Sequence, residues 1–258
     1  MVILHIIRKK SSIHTDLLMD CKVRQNRILE KKGVQLFHAN KDSNMYSTIG
    51  FSDITDKEQA SIVSEFFIRE LKDYVQEKDH ILIIGLGNRN STPDALGPMT
   101  LDHVLVTRHL FSLGNVEEGY SNVCIFEPNV FGSTGINSVD LIRMVVDLVS
   151  PDLVIVIDSL CTSRVERMNR TIQITNSGIS PGSGVFNNRG ELSKKTLGRD
   201  VLAIGIPTVV DIHSLTKQDS LDNFIVTPKD IDYLIEQFSY LLGNSLNKVL
   251  HESFVSTK

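Results

Sequence analysis

Five short apolar runs recur along this chain, and most are separated by segments whose apolar residues repeat at helical spacing. The runs are ILIIGLG (81–87), NVCIF (122–126), DLVIVID (152–158), TIQIT (171–175) and VLAIGI (201–206). Near-continuous Val, Ile and Leu runs are typical of strands that are covered on both faces. Strands that alternate with helices imply right-handed crossovers and a parallel sheet. The sequence therefore predicts a single α/β domain with a mainly parallel central sheet flanked by helices.

The segments before and after these runs complete the predicted organisation of the chain. Residues 1–57 are polar and show little periodicity, so we predict an N-terminal arm with irregular or short β structure, followed by the α/β domain over residues 58–258. A helix capped by Asp56 is predicted where the domain begins. A long amphipathic helix is predicted towards the C-terminal end, with Thr227 as its cap and Pro228 in the first helical position.

The whole-chain composition argues against several classes of protein. The net charge is −4, so nothing in it favours binding to nucleic acid or to an anionic membrane. The three cysteines are odd in number and far apart, which is typical of thiols in a reducing compartment. The opening MVILHIIRKK places its charge after a short apolar run, unlike a signal peptide. No run approaches the roughly 20 apolar residues of a membrane span. We expect a cytoplasmic protein with no nucleic-acid or membrane partner.

Acidic residues follow the ends of four predicted strands, and these residues are Asp94, Glu127, Asp158 and Asp211. In a parallel sheet the carboxyl ends of the strands converge on one edge, where sites form. Each acid alone could simply cap a helix or bond a loop. Two carboxyl groups brought together either share a proton, which gives an acid and a base in one site, or share a divalent cation. Strand-end placement makes Asp94 and Asp158 the candidate pair.

The loop that carries Asp94 reads GLGNRNSTPDALGP. Gly85 and Gly87 match the first half of a dinucleotide-binding fingerprint, but Asn90 stands where a third small residue is needed. Pro93 favours extended geometry in the residue before it. We therefore interpret the loop as one that presents Asp94, and not as one that holds a phosphate.

A glycine-rich segment, NSGISPGSGVFNNRG, follows the fourth apolar run. It is interpreted either as an ordinary loop or as a backbone-rich surface against which a peptide can lie. Its Gly178, Gly182 and Gly184, together with Asn88 and Gly132, are the predicted substrate-binding residues.

Several motifs in one order resemble a known family. GLGNRNSTPDALGP, LVTRHL, FGSTGI, PDLVIVIDSL, TIQITNSGISPGSGV, AIGIPTVVD and IVTPKDID are similar to motifs of the germination proteases of spore-forming Firmicutes. The resemblance runs from Ile81 to His251, with a weaker echo in IHTDLLMD near the start. It implies a fold similar to that of the hydrogenase-maturation proteases, which have an α/β fold with a central sheet.

The resemblance also implies an endopeptidase that degrades small, acid-soluble spore proteins in the spore core at germination. Such proteases are tetramers made as zymogens, so the N-terminal arm would include a short propeptide. The family's catalytic aspartates correspond to Asp94 and Asp158, which predicts acid–base hydrolysis without a cofactor. Two alternatives stay open. One is a metal-assisted peptidase in which a divalent metal is held by Asp94 and Asp158, with His213 as a candidate third ligand. The other is a non-catalytic spore protein that retains the fold.

Overall fold

The computed structural model of the protein describes residues 26–181, 190–216 and 224–252, without the side chains of residues 213 and 214. In this part of the chain the strands are β1 (Asn26–Lys31), β2 (Val34–Lys41), β3 (Asn44–Gly50), β4 (His80–Gly85), β5 (Asn122–Phe126), β6 (Leu153–Thr162), β7 (Thr171–Thr175), β8 (Asp200–Asp211) and β9 (Ile225–Val226). The helices are α1 (Lys57–Val75), α2 (Leu96–Leu101), α3 (Arg108–Leu113), α4 (Phe131–Thr134), α5 (Ser138–Val149), α6 (Lys194–Leu197), α7 (Ile212–Thr216) and α8 (Ile231–Leu250).

All of these strands belong to one mixed sheet. The order is β1-β2-β3-β7-β8-β6-β4-β5, and β9 pairs with β8. Strands β8, β6, β4 and β5 run parallel to one another. The other neighbouring strands are antiparallel, and these pairs are β1–β2, β2–β3, β3–β7, β7–β8 and β8–β9. The α/β fold with one central sheet is confirmed, but the predicted parallel arrangement holds for four strands. β7 reverses because residues 163–170, which connect it to β6, are fewer than the dozen or so residues that a parallel crossover needs.

Residues 26–50, predicted to belong to an N-terminal arm, form β1, β2 and β3 of this sheet. Of the two alternatives for the arm, this part takes short β structure. β3 pairs with β7 from Tyr46 opposite Thr175 to Gly50 opposite Thr171. Residues 1–25, which would carry any propeptide, lie outside the described residues, and the boundary at residue 57 stays a prediction.

Helices cover the sheet on both faces, which explains the apolar character of its strands. Successive residues of β4 point to opposite faces. On one face Ile83 belongs to a core that includes Phe67 of α1 and Phe238 of α8. On the other face Leu82 belongs to a core that includes Ile142 of α5. Within the described ranges, no helix combines the length and the apolar character that crossing a bilayer requires.

One of the two predicted helix starts is confirmed. Asp56 caps α1, and its Oδ1 accepts a hydrogen bond of 2.8 Å from the N–H of Gln59. The predicted start at Pro228 is wrong, because α8 begins at Ile231. Thr227 has a different partner: its hydroxyl donates to a backbone carbonyl of β8 at 2.9 Å.

Candidate active site

Asp94 and Asp158 both lie towards the carboxyl ends of the parallel strands. Asp158 is in β6, opposite Gly205 of β8, and is only 8% exposed. Asp94 is half-buried and ends a 3-10 turn in the loop after β4. The start of this loop is bonded to the residue before Asp158, because the N–H of Leu86 donates to the carbonyl of Ile157 at 2.8 Å. The loop is therefore attached directly to the strand that carries the second acid.

The loop folds back on itself so that its beginning contacts Asp94. The N–H of Asn88 donates to the carbonyl of Asp94 at 3.0 Å, and the N–H of Asp94 donates to Ser91 at 2.8 Å. Gly87 has a φ of +118°, and a Cβ there would lie 1.9 Å from the carbonyl oxygen of Asp94. A glycine is therefore required for this turn.

The helix that follows Asp94 packs closely against the ends of two strands. A Cβ on Gly97 of α2 would lie 2.3 Å from the carbonyl oxygen of Leu86 and 2.7 Å from that of Ile157. A Cβ on Gly85, at the end of β4, would lie 2.5 Å from the carbonyl oxygen of Gly97. Because these glycines have no side chain, the backbone of α2 contacts the backbone at the end of β4 and in β6. This contact holds the loop that carries Asp94 close to both strands.

Burial raises the pKa of both acids, and a neighbouring charge raises that of Asp158 further. Burial raises the pKa of Asp94 to about 6, although a backbone hydrogen bond from Asn88 acts in the opposite direction. Burial is also the main cause that raises the pKa of Asp158 well above its usual value, and the negative charge of Asp94 raises it further. Because the two groups interact, they titrate as a pair. Asp158 is more deeply buried and also faces the charge of Asp94, so burial and charge together favour its protonated form.

Arg89, which was not predicted as a site residue, binds two acids from two different elements. Its guanidinium donates to Asp102, after α2, at 2.6 and 3.1 Å. It also donates to Glu127, after β5, at 2.8 and 3.3 Å, and to the carbonyl of Pro98 at 3.0 Å. Hydrogen bonds first to Glu127 and then to Asp102 hold the pKa of Arg89 above its usual value. Glu127, one of the four strand-end acids, is therefore bonded to a loop cation.

Thr208 is a second residue that the sequence did not single out. It is fully buried in β8, and its hydroxyl donates to the carbonyl of Pro93 at 2.7 Å. The proline directly precedes Asp94. A threonine within the apolar run of a strand is ordinary for a β-strand, so its position in the sequence carried no signal of this contact.

The predicted substrate-binding residues lie in several places. Asn88 is beside Asp94, whereas Gly132 is in α4, where a Cβ would meet no atom within 4 Å. Gly178 has a φ of +93°, and a Cβ there would lie 2.3 Å from the carbonyl oxygen of Leu192, so backbone packing accounts for the glycine. Gly182 and Gly184 lie outside the described residues. A role of these residues in substrate binding stays a prediction.

The structure describes two of the three candidate metal ligands. Asp94 and Asp158 provide two carboxyl groups, but the side chain of His213, in α7, lies outside the described part of the chain. Among the side chains that the structure does describe, no group of three from His, Cys, Asp and Glu is arranged to hold a metal ion. The metal-assisted alternative stays a hypothesis.

Comparisons with known proteins agree on one family. A family model described as germination protease matches residues 9–223. The germination protease of Geobacillus sp. (strain WCH70) is 49% identical over 66% of this chain and 46% of that protein. That of Bacillus subtilis (strain 168) is 44% identical over 81% and 55%, and that of Clostridium tetani (strain Massachusetts / E88) is 35% identical over 89% and 84%. The chain spans about half the length of the first two relatives.

Solved structures are also similar to this chain. One of them is the NiFe hydrogenase maturation protease HycI from Thermococcus kodakarensis KOD1, at 17% identity and a TM-score of 0.41, over 70% of this chain and 98% of that chain.

Proposed function

Because the chain belongs to the germination protease family, we propose that it is an endopeptidase that hydrolyses peptide bonds with Asp94 and Asp158. One observation carries the proposal: a half-buried and a buried carboxyl group lie at one sheet edge, where the charge of the first raises the pKa of the second. Carboxyl groups that interact in this way favour different protonation states, which supplies an acid and a base in one site.

The different burial of the two acids assigns their roles. Asp94, the carboxylate, accepts a proton from a water molecule as its oxygen attacks the carbonyl carbon of the scissile peptide bond. Asp158 keeps its proton and donates a hydrogen bond to the carbonyl oxygen, on which negative charge develops. When the carbon–nitrogen bond breaks, the proton held by Asp94 passes to the leaving amine. Asp94 is then a carboxylate again.

The proposed substrates are the small acid-soluble spore proteins, cleaved in the spore core at germination. The family assignment supports this substrate class, since the resemblance in the sequence motifs implies it. The same resemblance supports a homo-oligomer, a tetramer in its relatives, and a zymogen whose N-terminal piece is removed.

Incubation of the purified protein with a purified small acid-soluble spore protein tests the proposal. Mass spectrometry should find internal cleavage products. Asp94→Asn and Asp158→Asn should each lower the cleavage rate by about 100-fold or more, since an amide can act neither as the acid nor as the base. Asp140→Asn, at an exposed position on α5, is the control and should cleave at the wild-type rate. No cleavage by the wild type after removal of its N-terminal piece, or a wild-type rate in either site variant, would refute the proposal.

The metal-assisted alternative is separated by a second measurement. Elemental analysis of the active protein, followed by assay in the presence of a chelator, shows whether cleavage needs a bound ion. Chelator-resistant cleavage supports hydrolysis by the aspartate pair alone. Cleavage that is lost with the chelator and restored by a divalent cation supports metal binding by the same two carboxylates.

A further inference from the structure

Thr208 connects the strand beside Asp158 to the turn that carries Asp94. On β8 it lies three residues beyond Gly205, which is opposite Asp158 in β6. Its side chain is fully buried, and its hydroxyl donates a 2.7 Å hydrogen bond to the carbonyl of Pro93. One hydroxyl therefore bonds the residue next to Asp94 to the strand next to Asp158.

This bond differs from those that shape the turn from within. The N–H of Asp94 donates to Ser91, that of Ala95 donates to Thr92, and that of Asn88 donates to Asp94. All of these donors and acceptors are in the loop itself. They fix the shape of the loop but not its position relative to the strands of the sheet. The Thr208 hydroxyl comes from β8 and holds the loop to the strands next to Asp94 itself, whereas the bond from Leu86 to Ile157 holds the start of the loop to β6.

Thr208 is itself held in place on its other side. The hydroxyl of Thr227, just after β9, donates to the carbonyl of Thr208 at 2.9 Å. The two hydroxyl groups form a short series that runs from the segment before α8, through β8, to the carbonyl of Pro93. A buried threonine with a bond at its hydroxyl and another at its carbonyl has little freedom to move.

We propose that Thr208 is a positioning residue for the aspartate pair: through Pro93, its hydroxyl sets how far Asp94 stands from Asp158. This inference rests on the proposed function of the two acids. Without the hydroxyl, the carbonyl of Pro93 loses its buried donor and has to find water. The turn then moves away from β8, Asp94 becomes better hydrated, and the geometry for proton transfer is lost.

Two variants at this position separate the hydroxyl from the packing. Thr208→Val keeps the shape and removes the donor, whereas Thr208→Ser keeps the donor and removes a methyl group. Thr208→Val should lower kcat by about 10- to 100-fold, the range expected for a misplaced catalytic group, with KM nearly unchanged. Thr208→Ser should restore most of kcat. Thr100→Val is the matched control, because the Thr100 hydroxyl is also buried and donates to a carbonyl at 2.7 Å, within α2.

Carboxyl carbon NMR of aspartate-labelled protein gives a readout that does not depend on cleavage. With the Asp94 signal assigned from Asp94→Asn, its titration midpoint should move to lower pH in Thr208→Val and return in Thr208→Ser. A folded Thr208→Val with wild-type kcat and midpoint would overturn the inference, as would a Thr208→Ser as impaired as Thr208→Val. If the wild type cleaves nothing, the proposed function fails, and the midpoint still decides whether Thr208 positions Asp94.

Discussion

The carbonyl oxygen of Asp94 lies only 1.9 Å from the position that a Cβ of Gly87 would take. The same Cβ would lie 3.2 Å from a carboxyl oxygen of Asp94, and the φ of Gly87 is +118°. Two independent constraints, backbone conformation and space, therefore exclude any side chain at this position. The place of Asp94 depends on a residue seven positions earlier in the chain.

Gly87→Ala should both destabilise the protein and displace Asp94. We expect the free energy of unfolding to fall by more than about 2 kcal/mol, since backbone strain of this kind costs on the order of 1–3 kcal/mol before any clash is added. Cleavage per folded molecule should also fall. Urea unfolding and the spore-protein assay measure the two effects.

Gly114→Ala is the matched control for this prediction. Gly114 also has a positive φ, +69°, but a Cβ there would meet nothing within 4 Å. Gly114→Ala should therefore lower the free energy of unfolding only by the conformational strain, about 1 kcal/mol, and should leave cleavage unchanged. Equal effects of the two substitutions would contradict the contact between Gly87 and Asp94.

The aspartate pair should make the folded protein more stable as the pH falls towards 5. Both pKa values are raised in the folded state, that of Asp94 to about 6, so the folded protein binds these protons more tightly than the unfolded chain. Their contribution is complete below the usual value of 3.8 and is lost as the pH rises through about 6 for Asp94 and through the raised pKa of Asp158. Asp158→Asn, which removes the cost of ionising this buried group, should therefore raise the free energy of unfolding at about pH 8.

Asp200→Asn is a control of opposite sign. Hydrogen bonds from Lys194 and Lys78 lower the pKa of Asp200, so its contribution is present above the usual value and is lost as the pH falls. This variant should be less stable than the wild type at the pH where Asp158→Asn is more stable. Thermal unfolding followed across the pH range checks both, and a less stable Asp158→Asn at alkaline pH would show that its carboxyl group is not strained by burial.

Arg89→Ala should loosen the loop after β4. The substitution removes bonds to Asp102, Glu127 and the carbonyl of Pro98 together. Exposed ion pairs contribute little singly, but a guanidinium shared by two acids should contribute about 1 kcal/mol or more, and less in high salt.

Arg27→Ala is the comparison for Arg89→Ala. Arg27 pairs with Glu30 three residues away on β1, and both side chains are exposed. Its removal should change the free energy of unfolding by less than about 0.5 kcal/mol. Urea unfolding at low and high salt measures both variants. If Arg89→Ala cost no more than Arg27→Ala, the Arg89 network would have no role in holding the loop.

Thr48→Val should be neutral or should stabilise the protein. Thr48 is 3% exposed, and its hydroxyl lacks a partner among the described residues, so the valine removes a buried polar atom and keeps the shape. Thr107→Val is the contrast, because the Thr107 hydroxyl donates to Ser121 at 2.6 Å and accepts from Val123 at 2.9 Å. It should cost about 1–3 kcal/mol. Destabilisation of similar size in both would indicate that a water molecule satisfies Thr48.

The sequence predicted the parts of the fold that depend on buried, periodic segments. The runs that became β4, β6 and β8 are apolar because helices cover both faces, and that requirement is visible in the residues themselves. The direction of β7 is not visible, because TIQIT has the same pattern in a parallel or an antiparallel strand. Short β structure was one of two alternatives for the arm, but no strand could be placed there; β1, for example, is largely exposed and lacks a buried apolar run.

The site could be predicted only in part, because a local pattern reveals single residues but not the contacts between segments. Asp94 and Asp158 stand out because a carboxyl group that follows an apolar run needs a partner or a task, although β6 continues beyond Asp158 to Thr162. Thr208 and Arg89 do not stand out, since Thr208 bonds Pro93 and Arg89 bonds Glu127, each in a distant segment of the chain. Such contacts follow from the packing of the loop on β8, α2 and β5, which no local pattern encodes.

The pairing of β3 with β7 also has a consequence for the nascent chain during translation. The ribosome makes Tyr46 long before its partner Thr175, and β8 follows later still. Until then the first strands carry a row of hydrogen-bonding groups without their native neighbour, and such a row can pair with other chains. Contacts between distant segments also form slowly. The yield of folded protein in the cell should therefore depend on whether chaperones shield the edge of β3 until β7 has been synthesised.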